Sequence, residues 1–97
     1  MTPEGKVKKG VRDLLAGYEN LYQFWPVQMG YGRTSLDVIG SYKGRFFAVE
    51  TKKAGDKPTP RQIQTIAEMR ASGAAVFVVT GEGALPLSAL KAWLEAQ

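Results

Sequence analysis

Residues 45–53 read Arg45-Phe46-Phe47-Ala48-Val49-Glu50-Thr51-Lys52-Lys53. The aromatic and apolar run from Phe46 to Val49 has the composition of a strand, and charge begins where the run ends. Side chains alternate faces along a strand. Phe46, Ala48, Glu50 and Lys52 therefore share one face, and Phe47, Val49 and Thr51 the other. An acid and a base follow an apolar run on one side of a sheet, roughly 6.5–7 Å apart. That spacing suits two groups gripping one small object, such as a phosphate or a metal-bound water, rather than each other.

The neighbouring stretches supply the rest of a sheet. Residues 36–41, Leu36 to Ser41, read as a strand joined to 45–52 through Tyr42-Lys43-Gly44, a hairpin signal. Counting inward from that turn, residue 41 roughly faces 45, and Asp37 faces 49 or 50. Asp37 and Glu50 then lie toward the same end of the sheet, provided the register holds, since a one-residue slip moves a side chain to the other face. Residues 21–27 are aromatic and β-prone, with Pro26 marking an edge strand or a strand end. Residues 75–80, Ala-Val-Phe-Val-Val-Thr, form a continuous β-branched run of the kind buried on both faces.

Helical signals alternate with these strands. Thr2-Pro3-Glu4 opens a helix by capping, by proline at the first helical position and by an acid at the positive end of the dipole. Val7, Val11, Leu14, Leu15 and Tyr18 follow at helical spacing, with Gly17 as a stop. Thr59-Pro60-Arg61-Gln62 opens a second helix in the same way, and Thr59 with Gln62 reads as a capping box. Ile63, Ile66, Ala67 and Arg70 continue it, and Gly73 ends it. Leu87, Leu90, Trp93 and Leu94 mark a short closing helix over 87–96. The order α-β-β-β-α-β-α implies an α/β sandwich. Its mixed sheet has a right-handed parallel crossover between the last two strands.

Composition narrows the chemistry. The 97 residues make one domain over 1–97, with ordinary globular composition. There is no Cys and no His, which removes disulfides, thiolate and imidazole metal sites, and nucleophiles activated by histidine. A metal here is held by oxygen, which selects Mg²⁺, Mn²⁺ or Ca²⁺. No apolar stretch approaches the roughly 20 residues that span a bilayer, and Met1 to Gly10 contains no hydrophobic signal region. The expectation is a cytoplasmic protein with no membrane partner and no organic cofactor. The net charge of +4 matches the surplus of Lys43, Arg45, Lys52, Lys53, Lys57 and Arg61 over Glu50 and Asp56. Such a segment suits an anionic partner.

Glu4 lies three residues before Val7 and seven before Val11, so it continues the buried stripe of the first helix toward the sheet edge. Glu4, Asp37, Glu50 and Lys52 then meet at one site. Carboxylates brought together repel, and either protonate or recruit a cation. A divalent metal relieves that conflict and polarises a phosphoryl oxygen, while a lysine orients water or neutralises charge on a phosphate. This is the chemistry of phosphodiester hydrolysis without a covalent intermediate.

Asp37 followed by Glu50-Thr51-Lys52, within α-β-β-β-α-β, resembles the PD-(D/E)XK nuclease superfamily and its restriction-endonuclease-like core. The glutamate in the first helix, Val49-Glu50-Thr51-Lys52 and the Thr59-Pro60-Arg61-Gln62 helix start are similar to the small phage-type VRR-NUC nucleases. The likeness spans residues 4 to about 80. One departure is that Leu36, not Pro, precedes Asp37. The resemblance implies that Glu4, Asp37 and Glu50 ligate Mg²⁺ or Mn²⁺ together with the backbone carbonyl of Thr51. It further implies that Lys52 positions the attacking water and that Gln62 contacts that water or the phosphate. It implies a structure-specific endodeoxyribonuclease that resolves four-way (Holliday) junctions as a homodimer, in the host cytoplasm if the source is viral. Arg33, in the glycine-rich Gly30–Ser35 stretch, joins Lys43, Arg45, Lys53, Lys57 and Arg61 as candidates for DNA phosphate contacts. Tyr22, Phe24 and Trp25 suit a core or dimer interface, with base stacking as the alternative. The rival readings are a monomeric flap or single-strand nuclease, a non-catalytic DNA-binding module of this fold, and a subunit whose basic surface docks a protein.

Overall fold

A computed structural model describes residues 1–27 and 35–97. Helix α1 (Pro3–Ala16) starts where the capping signals place it, with Thr2 Oγ1 accepting from the Gly5 amide at 3.0 Å. Its buried stripe is Val7, Val11 and Leu15. The remaining elements are β1 (Tyr22–Phe24), β2 (Val38–Tyr42), β3 (Arg45–Lys52), α2 (Pro60–Ala71), β4 (Ala75–Thr80) and α3 (Ala84–Glu95). The four strands form one sheet in the order β1-β2-β3-β4. The first two pairings are antiparallel and β3 runs parallel to β4, so the sheet is mixed, as expected.

The strand period assigns the two faces. Val38, Phe47, Val49 and Val79 pack with Val7, Val11 and Leu15 of α1 and with Leu90 and Leu94 of α3. On the opposite face Ala48 and Val76 pack with Leu36 and with Ile66 of α2. A helical layer thus lies on each side of the sheet, the α/β architecture anticipated from the element order.

The hairpin between β2 and β3 closes one residue tighter than expected. Lys43 (φ 50°) and Gly44 (φ 78°) both occupy the left-handed region, as a two-residue primed turn requires. Tyr42 therefore faces Arg45, Ser41 faces Phe46, and the ladder ends with Val38 facing Val49. One step further along the strands sets Asp37 opposite Glu50.

Gly40, in the middle of β2, faces Phe47. A Cβ at Gly40 would lie 2.6 Å from Phe47 Cζ and would also press on the Tyr22 carbonyl oxygen. The absent side chain lets the fully buried Phe47 ring lie across β2.

The bounds of β1, β2 and α3 and the burial of β4 differ from the expectation, β2 running over Val38–Tyr42 rather than 36–41. Strand β1 is shorter than 21–27: beyond it Trp25 donates to Gln23 Oε1 at 2.8 Å and lies under the Arg12 guanidinium, and Pro26 has no amide to offer a ladder. Helix α3 begins three residues before Leu87, because Pro86 falls in the first turn, where no intrahelical amide bond is needed. Strand β4 is an edge strand. Val76 and Val79 are buried while Ala75, Phe77 and Val78 are only partly covered.

Because β2 runs against β3 and β4 runs with it, one end of the sheet gathers several termini. These are the start of β2, the ends of β3 and β4, and the loops leading into α2 and α3. The Gly81 amide donates to the Lys52 carbonyl at 2.8 Å and ties two of them together. Among the described residues, no helix is long and apolar enough to cross a membrane.

Candidate active site

Glu50 lies near the end of β3, a polar residue in a run of buried positions. It is 3% exposed, and Thr51 beside it is fully buried. Asp37 sits just before β2 and reaches across to β3. Its Oδ2 accepts from the Thr51 amide at 2.9 Å and from Thr51 Oγ1 at 2.6 Å. These two bonds hold Asp37 beside Glu50 beyond the last strand pair. Leu36, fully buried on the α2 side, anchors the chain immediately before Asp37.

Two ammonium groups face the two carboxylates. Lys52 Nζ lies 3.6 Å from Glu50 Oε2, with the lysine side chain 12% exposed. The sequence spacing suggested that these groups grip a third object rather than each other. In the structure their long side chains lean together along the strand and pair. Lys8 Nζ, from α1, lies 3.8 Å from Asp37 Oδ1, with its side chain 39% exposed. Both separations exceed a direct hydrogen bond, so these two pairings are coulombic.

Burial, reinforced by the nearby Asp37 charge, pushes the Glu50 carboxyl up to about 7, against the opposing pull of Lys52. The site thus holds one carboxylate fixed by hydrogen bonds and a second whose charge is costly without a further cation. With no His or Cys in the chain, the donor set is all oxygen: Asp37, Glu50 and main-chain carbonyls. This chemistry fits a hard divalent cation.

Glu4 is half-buried in the first turn of α1. Among the described residues, no three acidic side chains come close enough to hold a metal ion together. Glu4 therefore stands apart from the Asp37–Glu50 pair, in a position that also favours the helix dipole. The residue of α1 that does reach Asp37 is Lys8, one turn further along the same helix face. Sequence reasoning passed over it. Its signal was only its i+4 spacing from Glu4, which meant nothing until helix and sheet were packed.

Gln62 completes the capping box at the start of α2. Its Oε1 accepts from the Thr59 amide at 2.9 Å, and its own amide donates to Thr59 Oγ1 at 3.2 Å. Its side-chain NH₂ retains donors for a further partner.

The basic segment 42–61 divides. Lys53 and Lys57 lie in the loop leaving the site end of β3, and Arg61 in the first turn of α2 that follows. Lys43 and Arg45 lie at the opposite end of β3. Arg45 is five residues from Glu50, roughly 16 Å along the strand. The Lys43 ammonium donates to the Gln97 carbonyl at 3.2 Å and lies over the Tyr42 ring. Arg33 and its glycine-rich stretch fall outside the described residues.

No protein-family model and no curated protein sequence matches the chain. Solved structures do match. One, described as a VRR_NUC domain, superposes with a TM-score of 0.69 at 22% identity, covering 99% of this chain and 94% of that one. Another is Hjc of Archaeoglobus fulgidus, a Holliday junction resolvase from an archaeal hyperthermophile. It superposes with a TM-score of 0.56 at 16% identity, covering 76% of this chain and 67% of that one. At such identities the likeness is one of fold. The expectation built outward from Glu50-Thr51-Lys52 is met at that level: the chain has the restriction-endonuclease-like fold, in the form shared by a VRR_NUC domain and the Hjc resolvase.

Proposed function

We propose that this chain forms a single nuclease domain, a structure-specific DNA endonuclease that hydrolyses phosphodiester bonds with Mg²⁺ or Mn²⁺ and resolves four-way junctions as a homodimer. The observation that supports this most is Glu50. A carboxylate that is 3% exposed, set beside Asp37 and facing Lys52, is destabilising for a fold unless it is used.

Asp37, Glu50 and the Thr51 carbonyl are the proposed cation ligands, and Glu4, which stands apart from that pair, is proposed to reach the cation through a metal-bound water. A divalent cation at these oxygens supplies Lewis-acid polarisation of the phosphate and acidifies the attacking water. The Lys52 ammonium, held on a rigid strand, orients that water and offsets charge building on the phosphate. Thr51 fixes the orientation of Asp37 through its two hydrogen bonds. The free donors of Gln62 contact the water or a phosphate oxygen. Lys53, Lys57 and Arg61 hold the DNA backbone on the site side, giving affinity without reading sequence. Lys43, Arg45 and Arg33 are proposed as outer backbone contacts.

Branched substrate and dimer are supported by two further observations. Hjc, described as a Holliday junction resolvase, has this fold. In addition, Tyr22 (64% exposed), Phe24 (49%) and Phe46 (46%) lie on one sheet face beyond the cover of α2, by the pairings Tyr22–Ser41–Phe46 and Phe24–Ile39–Ala48. An exposed apolar row of this kind suits an interface, and a two-fold pair presents the two sites that two symmetric cuts require.

The test is cleavage of end-labelled four-way junction, matched duplex, flap and single strand, with mass in solution measured alongside. Paired nicks in the junction by a dimer are expected. Preference for flap or single strand by a monomer would replace the junction reading. Binding without cleavage of any substrate would leave a DNA-binding module.

A further inference from the structure

The two lysines of the site are not equivalent. Lys52 is 12% exposed and rooted at the end of β3, where it pairs with Thr80 of β4, whereas Lys8 is 39% exposed and reaches in from α1. Asp37 has one oxygen, Oδ2, bonded twice by Thr51, and the other, Oδ1, faces the Lys8 charge at 3.8 Å among the described residues. An ion pair this long and this wet contributes little to stability. Its ammonium can withdraw into solvent while the aliphatic stem stays on the helix. Oδ1 is also the oxygen of Asp37 left for a divalent cation.

We infer that Lys8 is the resident counter-ion of the cation site: its ammonium neutralises Asp37 in the metal-free protein, and a divalent cation must displace it. Lys8 is thus a positioning residue that sets how readily the site loads. This inference rests on the proposed function, because it takes Asp37 as a ligand. A like charge within a few ångströms opposes a dication strongly even in a partly solvated site. Removing it tightens cation binding, the reverse of what loss of a supporting contact does.

The test is titration of the DNA-free protein with Mn²⁺ by calorimetry. The samples are wild type, Lys8→Met, Lys8→Arg, Asp37→Asn and Lys9→Met. Lys9 serves as the control because it sits on the same helix and carries the same charge, but pairs with Asp13 at 2.6 Å. Lys8→Met should bind Mn²⁺ roughly tenfold more tightly than wild type. Lys8→Arg should remain near wild type, Lys9→Met should change by less than about twofold at moderate salt, and Asp37→Asn should lose the binding. Unchanged or weaker binding by Lys8→Met, or an equal gain in Lys9→Met, overturns the role of Lys8 while leaving the cation site intact. Binding by wild type that Asp37→Asn does not weaken overturns Asp37 as a ligand, and this inference with it. Absence of Mn²⁺ binding in wild type and Lys8→Met alike overturns both the inference and the metal-dependent reading.

Discussion

The two ends of β3 carry similar residues and do different things. At the Arg45 end, cations lie on a tight turn: Lys43 over the Tyr42 ring and against the Gln97 carbonyl, Arg45 exposed. At the Lys52 end, Lys52 faces the Glu50 carboxylate, which the sheet has taken out of water. The same charge is close to neutral for folding in the first setting and decisive in the second, because the dielectric surroundings differ and the partners at the Lys52 end are fixed. What distinguishes the ends is topology. The hairpin closes one, while the other collects strand ends and loop entrances, where ligands of open α/β sheets bind.

That contrast can be broken by substitution, and the expected effects on folding free energy rank as follows. Glu50→Gln should have the largest. The folded-state pKa of Glu50 is raised from 4.5 to about 7. Its stabilising contribution is therefore fully present below pH 4.5, falls as pH rises, and is lost above pH 7. Glu50→Gln removes that loss, so the metal-free variant should exceed wild type at pH 8 by on the order of 3 kcal/mol, and the two should converge near pH 4. Denaturant melts across that range, in chelator, measure the difference. A variant less stable than wild type at pH 8 would mean that Glu50 is not an unrelieved charge.

Next in size is Gly40→Ala, which forces a methyl group against the Phe47 ring and the β1 backbone and should cost about 2 kcal/mol. A melt within 0.5 kcal/mol of wild type would show that β2 can shift. Thr59→Ala should then cost about 1 kcal/mol by opening the capping box at the start of α2, on the site end. Smallest is Lys43→Ala at the turn, expected within about 0.5 kcal/mol in chemical denaturation. A larger loss would make the two ends of the strand more alike than their surroundings indicate.

The bounds of β3 and β4 were legible in the sequence because their strand signals end sharply at turns and polar loops. The pairing of Asp37 with Glu50 was legible only to within one residue, since it depends on whether Lys43-Gly44 alone makes the turn. The register resolved it, and the bonds from Thr51 to Asp37 could be known only from the fold. Two features were not legible at all. Lys8 joins the site through the docking of α1 on the sheet, which no local pattern encodes. The basic residues of 42–61, contiguous along the chain, separate because an extended strand carries Arg45 and Lys52 to opposite ends. Glu4 was read into the carboxylate cluster from helical phase. Phase fixes a face of the helix but not how far along the sheet that face reaches.

The central claim is that chemistry resides at the Lys52 end. The most direct measurement compares wild type, Lys52→Ala and Arg45→Ala on one labelled four-way junction with Mg²⁺, scoring cleavage and DNA affinity separately. Lys52→Ala should cut about 10²–10³-fold more slowly with affinity nearly unchanged. Arg45→Ala should cut at close to the wild-type rate. Cleavage by Lys52→Ala at the wild-type rate would contradict the account and place the chemistry elsewhere on the molecule.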